Sequence, residues 1–132
     1  KGGISALVKT AHLAEGFLGR AGVWGRVRYH REEATAALKR MGGTWDIVYN
    51  DIDKDGYPGA WMAARERIRI GGLYVCDNVL WSGRVAVQDR DDPRPVYTQA
   101  ILEHNRMIAE DDRFISSIVP TRDGVFVALR VA

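Results

Sequence analysis

The sequence predicts an α/β fold with a mainly parallel sheet and an antiparallel hairpin near its C-terminal end. Apolar, strand-like runs alternate with stretches of helical periodicity, and glycine pairs separate several of them. Two further β-rich runs, joined by a short turn, close the sequence. Because 132 residues suffice for one compact core and are too few for two, we expect a single domain over residues 1–132.

The N-terminal third predicts two helices and a strand. Apolar residues recur at helical spacing over 4–20, and Gly22 follows as a stop signal. Residues 23–29 have the composition of a short strand. The alanine-rich run over 32–38 predicts a helix that ends at the glycines of 42–43.

The rest of the sequence continues the alternation of strands and helices. Its expected elements are a strand over 45–50, a helix over 58–69 that Gly71-Gly72 ends, a strand over 73–76, a charged loop over 77–95, a helix over 96–109, and a hairpin of strands 114–119 and 125–131. The hairpin would add an antiparallel edge to the parallel strands.

Composition excludes several classes of protein. The net charge of +2 and the mixed charge signs do not resemble a nucleic-acid-binding surface. We find no apolar run long enough to cross a membrane and no charged-then-apolar leader. The single cysteine, Cys76, excludes disulfide frameworks and cysteine-rich zinc sites, so a cytoplasmic location is expected.

Oxygen-bearing side chains follow two successive strands. Asp51 comes directly after the strand over 45–50, and Asp77 and Asn78 follow the strand over 73–76. In open α/β sheets ligands bind beyond the carboxyl ends of the strands, so these side chains are candidates to hold a hard cation such as Mg²⁺. The alternative is that aspartate and asparagine simply favour turns after strands.

Two further residues lie near these strand ends. Lys54 is three residues beyond Asp51, where its amine would be able to take a proton from a phenolic hydroxyl, or it is a solvated surface lysine. Trp81 would stack on a flat aromatic substrate, or it anchors the loop in the core. The three histidines, His12, His30 and His104, lack ligand spacing, and we assign them no chemistry.

Several motifs in register resemble one family. They are Trp45-Asp46-Ile47-Val48-Tyr49-Asn50-Asp51-Ile52-Asp53-Lys54, Gly71-Gly72-Leu73-Tyr74-Val75-Cys76-Asp77-Asn78-Val79-Leu80-Trp81-Ser82-Gly83, then Asn105, Asp112-Arg113-Phe114 and Pro120-Thr-Arg-Asp123-Gly124. Together they resemble the cation-dependent O-methyltransferases, which include the caffeoyl-coenzyme A and catechol O-methyltransferases. The resemblance covers roughly residues 21–130.

The resemblance implies a fold, a reaction and a set of site residues. The fold is an incomplete doubly wound, Rossmann-like methyltransferase sheet with an antiparallel C-terminal hairpin. The reaction transfers a methyl group from S-adenosyl-L-methionine to a catechol-like aromatic hydroxyl with help from Mg²⁺ or Ca²⁺. Asp51, Asp77 and Asn78 would be the metal ligands, Lys54 the catalytic base, and Trp81 part of the acceptor pocket.

The cofactor side departs from the family pattern. By resemblance, cofactor contacts would come from Gly3, Ser5, Glu33, Ala34 and Asp51. The family's first two strands have no counterpart in this sequence, and Glu32-Glu33-Ala34 stands where the family has Gly-Asp-Ala. We therefore expect a homodimer or higher oligomer in which residues 1–30 cross to, or pack against, another subunit.

Two function classes follow from this comparison. The first is a metal-dependent O-methyltransferase whose missing cofactor elements come from a partner or from another portion of the protein. The second is a non-catalytic remnant that retains the metal-binding loops and acts as a binding or assembly module, since fold ancestry does not establish function.

Overall fold

The computed structural model describes residues 3–87 and 91–132, with residues 3–11 described at the level of the backbone. The chain forms two compact units, Lys1–Glu33 and Ala34–Ala132. The expectation of a single domain over 1–132 stays a prediction.

The first unit contains helix α1, Gly3–Arg20, as its sequence periodicity predicts. Gly22 ends this helix with a φ of +72°, a conformation that side chains with a Cβ rarely adopt. Its amide donates to the carbonyl of Gly19, and the amide of Val23 donates to that of Leu18. This pair of bonds satisfies the last carbonyls of the helix and confirms the predicted stop.

The strand predicted for residues 23–29 is wrong. Trp24–Arg26 form a short 3-10 helix, and Val27 is extended without belonging to a strand. A strand needs a neighbour to bond its backbone, and the described part of the first unit holds only helical elements. Local composition was therefore insufficient to make this segment a strand.

The second unit contains the sheet and the helices packed on it. Its elements are α2 (Ala34–Arg40), β1 (Trp45–Asn50), α3 (Tyr57–Ala64), β2 (Ile68–Cys76), α4 (Pro95–Ala109), β3 (Phe114–Val119) and β4 (Val125–Arg130), with 3-10 turns at Lys54–Gly56 and Trp81–Gly83. The strand order is β1-β2-β4-β3, with β1 parallel to β2 and the other two pairings antiparallel. The α/β class and the C-terminal hairpin are confirmed.

Strand β2 begins earlier than the sequence predicts, and α3 ends earlier. The helix ends at Ala64, and Gly71-Gly72 lie inside β2 instead of closing the helix. The glycine pair forms an irregularity in the pairing with β1, where a Cβ on Gly72 would approach the Asp46 carbonyl oxygen to 2.9 Å. Close approach of two backbones, rather than a helix stop, is therefore what these glycines provide.

The core lies between α3, α4 and one face of the sheet. Its buried members are Tyr57, Trp61, Ala64, Ile68, Tyr74, Cys76, Val79, Ile101, Ile108, Phe114, Phe126 and Ala128. The fully buried Trp61 makes edge contacts with the rings of Tyr74 and Phe114, at centroid distances of 5.0 and 4.9 Å. Such pairs stabilise a core beyond the area that they bury.

The other face of the sheet carries an apolar row across all four strands. Ile47, Leu73, Leu129 and Ile115 pair in succession and define what we call the open sheet face. Ile47 and Ile115 are 59% and 66% exposed.

No helix within residues 3–87 and 91–132 is long and apolar enough to span a bilayer.

Candidate functional site

The carboxyl ends of β1 and β2 lie side by side. Asn50 pairs with Cys76 at the last position of both strands, and the Asp77 amide donates to the Asn50 carbonyl at 3.2 Å. Asp51 and Asp77 therefore follow neighbouring strand ends at the same edge of the sheet. The sequence-based expectation that the two ends are adjacent is confirmed.

The Lys54 amine lies among acceptors from both strand ends. Its Nζ donates to the Tyr57 hydroxyl at 2.6 Å and to Asn78 Oδ1 at 2.9 Å. It also forms an ion pair with Asp51 Oδ1 at 3.7 Å, and the side chain is only 13% exposed. Lys54 is therefore not a solvated surface lysine, and its role as a base stays a prediction.

The turn at Asp77-Asn78 has an unusual backbone. Asn78 has a φ of +57°, which is uncommon for a residue with a Cβ although asparagine tolerates it best. The backbone amide of Asn78 donates to Asp77 Oδ1 at 2.7 Å, and the Tyr57 hydroxyl donates to the Asp77 backbone carbonyl oxygen at 2.7 Å. The first bond orients the Asp77 carboxylate, and the second fixes the backbone of the turn.

Tyr49 lies beside the two carboxylates, which the sequence did not indicate. Desolvation, and then the negative charges of Asp77 and Asp51, raise the pKa of its phenol above the ordinary value. The charges of both acids therefore act on one phenol, which is 59% exposed at this edge of the sheet. A tyrosine in an apolar strand is by default a packing residue, so nothing in the sequence marked it.

The donor set is chemically suited to a hard divalent cation. Two carboxylates and one amide oxygen follow the neighbouring ends of β1 and β2, and oxygen donors are what Mg²⁺ and Ca²⁺ prefer. Among the residues that the structure describes, no group of three or more histidine, cysteine, aspartate or glutamate side chains is placed to hold a metal ion. The candidate metal site therefore depends on the Asn78 amide as its third donor, and metal binding stays a prediction.

The loop after Asn78 holds Trp81 in a second unusual backbone segment. Trp81 and Ser82 have φ values of +50° and +54°, and both precede a glycine that also has a positive φ. The indole packs partly against the core, 6.0 Å from the Tyr97 ring. Guanidinium carbons of Arg84 and Arg94 lie 5.6 and 5.9 Å from its centroid. Residues other than glycine that adopt a positive φ are concentrated at functional sites in proteins.

The turn of the C-terminal hairpin supports this loop. The Val79 amide donates to the Gly124 carbonyl at 3.1 Å and the Leu80 amide to the Asp123 carbonyl at 2.9 Å. The Asp123 carboxylate also accepts from the Ser82 amide. In the sequence, Asp123 and Gly124 belong to a motif, but nothing there indicates that they support this loop.

A buried hydrogen-bonded chain supports the same loop from the side of α4. The His104 ring bonds the Tyr74 hydroxyl through Nε2 and Asn105 Oδ1 through Nδ1, both at 3.0 Å. Asn105 Nδ2 then donates to the Val79 carbonyl at 3.0 Å. Burial lowers the pKa of His104 to about 4, so the ring is neutral near pH 7. Its Nδ1 therefore donates to Asn105 and its Nε2 accepts from Tyr74.

Cys76 is fully buried at the end of β2, as its apolar surroundings in the sequence predict. The side-chain amide nitrogen of Asn50, Nδ2, donates to the Cys76 Sγ at 3.2 Å. Burial raises the pKa of the thiol to about 11, so it is uncharged near neutral pH.

The structure describes only some of the side chains that are predicted to contact the cofactor. Gly3 and Ser5 belong to α1, but their side-chain surroundings lie outside the described residues. Glu33 directly precedes α2, and Ala34 is its first residue. Asp51 lies at the end of β1 with the other candidate ligands. The cofactor roles of all five residues stay predictions.

Comparison with known proteins identifies a family. The model of the O-methyltransferase family matches residues 4–131. A caffeoyl-CoA O-methyltransferase of Petroselinum crispum is 32% identical over 123 residues, which cover 86% of this chain and 51% of that protein. The chain thus spans about half the length of the curated relatives it matches.

Solved structures agree with this relationship. An SAH-bound methyltransferase of Podospora anserina is 26% identical, with a TM-score of 0.80 over 94% of this chain and 57% of that one. The O-methyltransferase TomG of Streptomyces achromogenes, solved in complex with SAM, is 28% identical, with a TM-score of 0.80 over 92% of this chain and 57% of that one.

Proposed function

The chain belongs to the O-methyltransferase family, and from this premise we propose that it transfers a methyl group from S-adenosyl-L-methionine to a hydroxyl of a small, catechol-like aromatic acceptor. We further propose that a divalent cation, Mg²⁺ or Ca²⁺, takes part. The observation that carries this proposal is the Lys54 amine, held within 2.9 Å of Asn78 Oδ1 and 3.7 Å of Asp51 Oδ1 at the strand ends.

Each residue of the site has a proposed role. Asp51, Asp77 and Asn78 hold the cation through two carboxylates and an amide oxygen. A divalent cation, when bound, supplies positive charge that stabilises an ionised hydroxyl. Lys54, as the neutral amine, accepts the proton of the acceptor hydroxyl at its Nζ and so becomes the ammonium ion. Fixing the acceptor beside the methyl donor makes the transfer effectively unimolecular.

The remaining contacts are proposed from the same family relationship. Trp81 lines the acceptor pocket, and Gly3, Ser5, Glu33, Ala34 and Asp51 contact S-adenosyl-L-methionine. The chain spans about half the length of the curated relatives. The activity, the substrates and the oligomeric state of the whole protein are therefore proposed from this family relationship. We also propose a cytoplasmic location and no nucleic-acid partner.

Calorimetric titration of S-adenosyl-L-methionine into the chain, with and without Mg²⁺, tests the proposal. We expect saturable binding, and methyl transfer to a catechol only when Mg²⁺ is present. Asp77→Asn should abolish Mg²⁺ binding and methyl transfer, whereas Asp112→Asn, at an exposed position before the amino end of β3, should behave like the unmodified chain. Absence of binding and of transfer would favour a non-catalytic binding or assembly module instead.

A further inference from the structure

Tyr57 connects the two halves of the candidate site. Its hydroxyl accepts from Lys54 Nζ at 2.6 Å and donates to the Asp77 carbonyl oxygen at 2.7 Å. Lys54 follows β1 and Asp77 follows β2, so these groups come from separate segments of the chain. The phenol therefore forms a direct bridge between the proposed base and the turn that carries two proposed ligands.

The direction of both hydrogen bonds is fixed by chemistry. A carbonyl oxygen only accepts, so the single phenolic proton points to Asp77. The phenolic oxygen is then free to accept from the Lys54 amine, and the two bonds coexist only in this arrangement. Reversing either bond would leave a polar group of a buried tyrosine without its partner.

The ring of Tyr57 gives this bridge a rigid base. The residue is fully buried in the core, and its ring centroid lies 5.1 Å from that of His104. The Lys54 amine lies 4.8 Å from the same ring, so the tyrosine contacts the lysine through both its face and its hydroxyl. A side chain locked by core packing positions its polar end more accurately than one on a mobile surface.

We propose that Tyr57 is a positioning residue, which sets the location of the Lys54 amine relative to Asp77 and Asn78. The inference rests on the proposed function, because it concerns the same site. Tyr57 acts through Lys54 and the Asp77-Asn78 turn and has no contact of its own with the acceptor in this account. Loss of a hydroxyl that orients metal ligands typically weakens metal binding by about 10–100-fold.

The test compares Tyr57→Phe with a control, Ile108→Val. Ile108 is also fully buried in the core, on α4, but its apolar side chain forms no hydrogen bond to Lys54 or to the Asp77-Asn78 turn. Two readouts are used: the affinity for Mn²⁺ alone, by calorimetry, and the ¹⁵N ammonium resonance of Lys54, assigned with Lys54→Met. Thermal unfolding of both variants shows how far each has lost stability.

We expect Tyr57→Phe to weaken Mn²⁺ binding by about tenfold and to broaden or remove the Lys54 ammonium resonance. Ile108→Val should leave both unchanged even where its unfolding midpoint falls as much. If Tyr57→Phe changes the midpoint only, the positioning role is wrong. If the unmodified chain does not bind Mn²⁺, the cation part of the proposed function fails, and the ammonium resonance alone decides the role of Tyr57.

Discussion

Acceptors surround the Lys54 amine on several sides, although lysine ordinarily keeps its amine in water. Holding the amine there costs side-chain entropy, which a purely solvated charge would not lose. The Lys54 amine, next to Asp51 and Asn78, is therefore placed to exchange a proton with a ligand bound at the carboxyl ends of β1 and β2.

Replacing Lys54 tests this role at the level of one side chain. In a reconstituted, active form, Lys54→Met should lower the maximal rate by about a hundredfold or more, because the proton acceptor is lost. Steady-state methyl transfer measures the change. Lys39→Met provides the control, since Lys39 is exposed at the end of α2. Equal rates for the two variants would remove Lys54 from the reaction.

His104 gives the second unit a specific pH dependence. Burial lowers its pKa from 6.5 to about 4, so the unfolded chain binds a proton more readily than the folded one. The stability that comes from neutral His104 is complete above about pH 6.5 and is lost as the pH falls toward 4. At full effect the loss amounts to about 3 kcal/mol. Urea unfolding at pH 7, 6, 5 and 4 measures it, and His104→Gln should flatten this dependence between pH 6.5 and 4.

At the scale of elements, the loop over 77–83 depends on the hairpin turn for its backbone hydrogen bonds. Val79 and Leu80 donate to Gly124 and Asp123, and the flanking residues Asn78, Trp81 and Ser82 have positive φ values that cost energy. The hairpin turn thus holds this strained loop in one conformation.

Gly124→Ala is expected to disturb this support. Gly124 has a φ of +79°, and a Cβ there would overlap the Leu80 side chain. We expect a loss of about 1–3 kcal/mol in the free energy of unfolding, from backbone strain and displacement of Leu80. Chemical unfolding measures it. Gly42→Ala is the matched control, because its surroundings are open and its φ is not positive; equal losses would contradict the account.

Elements with local signals, such as a hydrophobic period or a turn between two β-rich runs, could be predicted from the sequence. Elements that depend on contacts with distant residues could not. The hairpin of β3 and β4 followed from two β-rich runs and a turn, because those signals are local. Residues 23–29 had strand composition but no partner strand in the described part of their unit. The glycines of 71–72 resembled a helix stop, whereas the close approach of β1 decides their position.

The candidate site divides in the same way. The meeting of Asp51, Lys54 and Asn78 was predictable, because strands that are parallel end at one edge. Tyr49 and Tyr57 were not, because a tyrosine within apolar sequence is ordinarily a packing residue. Only the tertiary arrangement shows that their hydroxyls face polar partners.

At the scale of the whole molecule, the open sheet face and the edge of β1 bear on assembly. β1 ends the sheet on one side and carries Ile47 and Tyr49, each 59% exposed. Exposed apolar rows and unpaired strand edges favour association. We keep the proposal of a homodimer or higher oligomer, with residues 1–30 contributing to the contact.

Light scattering at micromolar concentration tests the proposed assembly. We expect a mass of at least twice 14.7 kDa, and Ile47→Lys should shift it toward the monomer because a charge would be buried in the contact. Met62→Lys, at an exposed position on α3 and away from this face, is the control. A stable monomer of the unmodified chain would overturn the proposal.

The strand order β1-β2-β4-β3 also bears on biosynthesis. Of the four strands that the structure describes, β4 is synthesised last, yet it lies between β2 and β3. While the nascent chain is shorter than about residue 125, β2 has only β1 to bond, and β3 has no strand beside it. Pairings between such distant segments form slowly, because a long loop must close first. Nascent chains of this protein should therefore expose a strand edge until β4 inserts, a stage at which chaperone binding competes directly with aggregation.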